Sequence, residues 1–196
     1  MTEPTLEDLR RARGEGWQWP RIASDACPQC GMHAAVLPRE SLGPMLLESV
    51  AEWQEFLAAA DESFLRTNPE PGVFSPIQYG AHVRDIVRVY GDRIELATAE
   101  DNPTFPQFSP SSEVFEAYNE MAIGELAEDL DAQARRLATI VGNLQDDQWD
   151  RTLVRDGGKD GVFTFTVHGQ ACYALHESHH HLLDAKGRLP VGGASA

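Results

Sequence analysis

From Ser112 to Leu144, apolar residues keep returning to one side of a helix. Phe115, Tyr118, Ala122, Leu126, Leu130, Leu137, Val141 and Leu144 mark that stripe, with the spacing of a 3.6-residue period. A helix of that length spans most of a bundle and calls for long antiparallel neighbours rather than a globin-like packing. The chain supplies three. Leu46, Val50, Trp53, Leu57 and Phe64 predict a first helix over about 41–60. Tyr79, Val83, Ile86, Val87, Tyr90 and Ile94 predict a second over 76–99, with Ser75 as cap and Pro76 in the first turn. The last runs over about 166–185, with Lys186 in its last turn and Gly187 just past its end. TNPEPGVFSP and AEDNPTFPQFSP read as loops, and residues 145–164 as a longer connection with tight turns at Gly157, Gly158 and Gly161. No strand pattern stands out. The expected fold is all-α: a four-helix bundle over 41–190, an irregular N-terminal extension over 1–40 with a short helix near 6–13, and a loose tail over 191–196.

Sixteen basic residues face 31 acidic ones, a net charge of −15. Such a chain repels phosphate backbones and anionic lipid surfaces, which argues against nucleic acid or membrane partners. No apolar run approaches the roughly 20 residues needed to cross a bilayer. The N-terminus lacks a basic start followed by an apolar stretch, so no secretory signal is read there and the cytoplasm is the expected location.

Five of the seven histidines fall between residues 168 and 181. In ALHESHHHLLD, His176 and His180 point about 40° apart on one helix face, because each residue turns about 100°. Cys172 and Leu183 share that side, so the pair is expected to face the core, whereas His181 is expected to point largely away. Two buried imidazoles without partners are unfavourable. A divalent ion satisfies both at once, and the i, i+4 spacing suits one. His82, at the edge of the second helix's apolar stripe, is the best third ligand, since bundles build sites from facing helices. His179 could replace His180, and His168 reads as a rim residue. Residues 176–180 also spell HExxH, but only 16 residues follow His180, and beyond the adjacent His181 none is a histidine or glutamate that could serve as a downstream ligand. Glu177, about 100° round from His176, is expected only to orient a neighbour.

Three cysteines are too few for a disulfide framework. ACPQCGMH offers Cys27, Cys30 and His33, half of a zinc knuckle. A reduced pair, a labile disulfide and a metal site shared with a distant residue remain open. Cys172 reads as a small apolar core residue.

YGAHVRDIVRVYGDRI in the second helix, DNPTFPQF after it, DDQWDRTLVRDGG before the last helix and ALHESHHHLLDAKG within it together resemble the DinB-like superfamily, the fold of bacillithiol and mycothiol S-transferases. The resemblance covers roughly residues 40–187. It implies a DinB-like four-helix bundle with a metal held by one histidine of the second helix and an H-x3-H pair of the fourth, here His82, His176 and His180. It also implies a metal-dependent S-transferase or isomerase that takes a small-molecule thiol and an electrophilic substrate, and by analogy a homodimer. A hydrolase with metal-activated water, and a non-catalytic metal-binding stress protein, are the alternatives. Zinc is the favoured ion, and nickel or iron suit imidazole ligands as well.

Overall fold

The computed structural model of the protein describes residues 19–108, 110–156 and 162–187. The short helix expected near 6–13 and the tail over 191–196 lie outside them. Six helices are seen among the described residues: α1 (Arg39–Ala59), the single turn α2 (Glu62–Leu65), α3 (Pro76–Ala99), α4 (Ser112–Tyr118), α5 (Ile123–Gly142) and α6 (Val167–Ala185). The bundle consists of α1, α3, α5 and α6. Helices α1 and α3 each pack against both α5 and α6, so α5 and α6 occupy opposite sides.

The periodic stripes become the core. Leu46, Val50, Trp53 and Leu57 of α1 meet Leu126, Leu130, Leu137 and Val141 of α5 and the buried row of α3 in one apolar cluster. Trp53 is wholly buried, and its indole N–H donates to the Ser178 carbonyl of α6 at 2.9 Å. Phe64, expected on the first stripe, is instead half exposed. The chain is extended at Ala60 and Asp61. That shifts the phase of α2, and Leu65 is buried in Phe64's place.

The single helix expected over 112–144 is broken between Tyr118 and Ile123. The Arg66 guanidinium donates to the Asn119 and Met121 carbonyls, partners for backbone groups that a continuous helix would use itself. Ser75 donates to Asn119 Oδ1 at 2.6 Å, while its own Oγ accepts the Gln78 N–H in a capping box that starts α3. The start of the helix that carries His82 and the break in the next one are therefore locked together.

The connection over 145–164 is not a plain loop. Strands β2 (Thr152–Asp156) and β3 (Val162–Thr166) pair antiparallel, with Leu153 opposite Phe165, and the two-residue β1 (Thr104–Phe105) adds parallel to β2. TLVRD and VFTFT alternate and are rich in β-branched and aromatic residues on either side of glycines, a hairpin signal hidden by the stronger helical pattern. Strand β3 runs directly into α6, whose first turn is capped by Thr166 Oγ1 accepting the Gly169 N–H at 3.0 Å.

The N-terminal extension packs on α6 through two 3-10 turns, Trp19–Ala23 and Ala34–Val36. A Cβ on Gly169 would sit 3.3 Å from the Ala23 Cβ, so glycine permits this close approach. The Cys172 thiol donates to the Ala34 carbonyl at 3.5 Å. No helix among the described residues is long and apolar enough to cross a membrane.

Ser75→Ala removes the cap of α3 and the tie to Asn119. It is expected to lower unfolding stability by about 1–2 kcal/mol, read from urea denaturation; an unchanged midpoint would show that the junction carries no stability.

Candidate metal centre

Helix α6 displays two adjacent rows of metal-ligand side chains, and each row faces a different neighbour. Glu177 and His181 face α3. Glu177 Oε2 is 3.8 Å from His82 Nε2 and 3.2 Å from His181 Nε2. Each of the three residues offers one ligand atom within 4.8 Å of the other two. His176 and His180 face the N-terminal extension, where Cys27 Sγ lies 3.6 Å from His180 Nδ1. Cys27, Cys30, His176 and His180 form a second group on the same distance criterion.

The structure therefore does not bring His82, His176 and His180 together. His82 stands with Glu177 and His181, and the other two stand with the cysteines. The reason is rotational. Rows 176/180 and 177/181 are about 100° apart on the helix. Both are i, i+4 pairs, so spacing alone cannot say which row meets α3. His181, expected to point away, and Glu177, expected only to orient a neighbour, are both buried. The identical spacing of Glu177 and His181 was the signal that could have revealed them. His179 joins neither group. His168 Nε2 lies 3.4 Å from the Cys172 thiol near the start of α6, and His33 Nε2 meets the Ser24 carbonyl at 2.9 Å.

The electrostatics of the His82–Glu177–His181 group favour a cation. Burial alone would raise the Glu177 carboxyl, but the charge of His181 and contacts with His176, His181 and His82 hold it well below the usual range. Burial alone would lower His181, but the Glu177 and Asp184 carboxylates carry it up to about 10. Two carboxylates around one buried imidazole thus stabilise positive charge, which a proton or a metal ion can supply.

The donor set fits a divalent ion. Asp184 Oδ2 lies 2.8 Å from His181 Nδ1, and a carboxylate can only accept, so Nδ1 carries a proton; Nε2, 3.2 Å from Glu177 Oε2, carries the second, which a metal ion would displace to ligate there. A carboxylate that orients a histidine through its second nitrogen is a usual companion of metal ligation. Aromatic rings enclose the group. Tyr79 stacks on His181, with centroids 5.2 Å apart, and Phe108 and Phe115 pack against the His82 ring. The Arg93 guanidinium lies 4.1 Å from the Phe105 centroid and donates to the Pro106 carbonyl at 3.1 Å, which anchors the loop bearing Phe108.

A comparison with protein families matches residues 45–185 to the profile of the DinB superfamily. No curated protein matches the chain. Among solved structures, the chain is similar to YfiT from Bacillus subtilis, described as a probable metal-dependent hydrolase with an unusual four-helix bundle topology. The TM-score is 0.63 at 20% identity, over 76% of this chain and 85% of YfiT. At that identity the likeness bears on the fold.

Asp184→Asn leaves His181 in place but removes the carboxylate that orients it. Metal affinity is expected to fall about 10- to 100-fold in chelator competition; an unaltered affinity would mean that Asp184 does not serve the ligand.

Proposed function

This chain belongs to the DinB superfamily, and we propose that it is a metal-dependent enzyme whose divalent ion is held by His82, Glu177 and His181. The observation that carries the reading is the meeting of two imidazole nitrogens and one carboxylate oxygen, from two helices, at one buried point. Two histidines and a glutamate form a known catalytic donor set, one short of a closed tetrahedron. Zinc, iron and nickel all suit these donors. A bound divalent ion would supply Lewis acidity, lowering the pKa of a thiol or water that shares the site.

The chain's own residues hold and shield. Asp184 holds the His181 ring through Nδ1, leaving Nε2 directed at Glu177. Glu177 balances charge between the two imidazoles. Tyr79, Phe108 and Phe115 limit water around the donors, and the lowered local polarity strengthens each electrostatic contact. Beside Glu177 stand Tyr90 and Tyr173, with ring centroids 5.0 Å apart. Burial, reinforced by the Glu177 charge, raises both phenols, so they stay protonated.

Within this reading the favoured reaction is transfer of a low-molecular-weight thiol of the mycothiol or bacillithiol type to an electrophile, or a thiol-dependent isomerisation. The family resemblance of helices α3 and α6 supports it. A hydrolase using activated water is the second reading, supported by the description of YfiT and by the two-histidine, one-glutamate set.

Metal-loaded protein assayed with either thiol and a chlorinated aromatic is expected to turn over only when thiol and metal are both present. Turnover of ester or amide substrates that needs metal but no thiol would replace transfer with hydrolysis. His82→Ala and Glu177→Gln are expected to reduce metal-dependent turnover to background; full activity in both variants would remove this site from the chemistry.

A further inference from the structure

We propose that Cys27, Cys30, His176 and His180 form a second metal site, a closed structural zinc centre that fastens the N-terminal extension to α6. It differs from the His82–Glu177–His181 group in ligands and purpose.

Four observations converge on it. The first is the donor set. Two cysteines and two histidines are the soft, tetrahedral combination that zinc takes in structural sites, and four protein donors leave no position for a substrate. The second is distance. Zinc–sulfur bonds near 2.3 Å and zinc–nitrogen bonds near 2.05 Å at a tetrahedral angle place sulfur and nitrogen about 3.6 Å apart. Cys27 Sγ and His180 Nδ1 are 3.6 Å apart, and all four ligand atoms lie within 4.8 Å of one another.

The third observation is the conformation of the cysteine loop. CPQCG folds into a tight knuckle, with the Gly31 N–H donating to the Cys27 carbonyl at 2.9 Å and the Cys27 N–H to the Met32 carbonyl at 2.8 Å. Gly31 has φ +75, a left-handed conformation that side chains other than glycine adopt at a cost. The turn aims both sulfurs at α6 and away from His33, which is held by Ser24. The fourth is an unmet need. His176 is 4% exposed, yet neither ring nitrogen makes a hydrogen bond; Glu177 Oε1, 3.4 Å from Nδ1, lies outside hydrogen-bond geometry. Burying an imidazole in that condition is unfavourable, and a metal bond removes the penalty.

Charge balance supports the same reading. Two thiolates and two neutral imidazoles around Zn²⁺ sum to zero, the balance a buried centre needs. Cys27 and Cys30 are both free thiols, available as ligands.

The test uses the full chain purified under reductant. Elemental analysis of wild-type protein is expected to show two equivalents of metal per chain. Cys30→Ser and His180→Ala are expected to lose one equivalent, and His82→Ala the other. In cobalt-substituted wild-type protein, a thiolate-to-cobalt charge-transfer band in the near ultraviolet is expected, which nitrogen and oxygen donors alone cannot produce. That readout needs no variant to fold. A cobalt-loaded protein without the band, or wild-type metal content in a folded Cys30→Ser variant, would overturn the second site. Loss of metal in His82→Ala is a separate outcome and bears on the proposed catalytic group alone.

Discussion

Helix α6 is buried on nearly every side, and most of the polar chemistry of the protein follows from that. A surface helix hides one stripe and leaves its polar residues to water. Here α1, α3 and the N-terminal extension cover different sides of the same helix. Its polar residues therefore need partners inside the protein, because an unpaired polar group out of water costs several kcal/mol. Ser178 turns to α1, where its hydroxyl meets Ser49 at 2.8 Å and its carbonyl accepts the Trp53 indole N–H. Glu177 and His181 turn to α3. His176 and His180 turn to the cysteines of the extension. Three neighbours sort one helix's side chains into three environments.

Asp184 ties two of these environments together. Its Oδ2 is 2.8 Å from His181 Nδ1 and 3.5 Å from His180 Nε2. The two groups of donors stand back to back on one helix, with a carboxylate at their junction. The proposed zinc centre, by pinning the extension to α6, would restrain the rotation of α6 about its axis, which sets how Glu177 and His181 meet His82. The loops contribute in the same manner. Arg93 secures the segment that brings Phe108 over His82, and the Arg66 contacts at the helix break help keep Phe115 against the same ring.

The features that depend on neighbours along the chain could be read from the chain. The stripes of α1 up to Leu57, of α3 and of α5, the Ser75 cap and the stop at Gly187 are all short-range patterns, and the structure reproduces them. The break in the long third helix was not readable, because the apolar stripe continues in phase across residues 119–122 while the interruption is held by Arg66 and Ser75 from elsewhere. The β2–β3 hairpin left a readable trace in its alternation, overshadowed by the helices on either side of it.

For the site, composition and spacing marked histidines of α6 as inward-facing candidates for a metal and assigned His82 of α3 to the His176 and His180 row, whereas the structure sets His82 beside Glu177 and His181. They also determined that Cys27 and Cys30 are half of something. Only the tertiary structure decided which row pairs with which partner. A helix repeats its ligand spacing every four residues on each of its faces, so sequence constrains the pairs but not the face. The face is chosen by the angle at which α6 settles between α3 and the extension, and that angle is set by contacts among residues far apart in the chain.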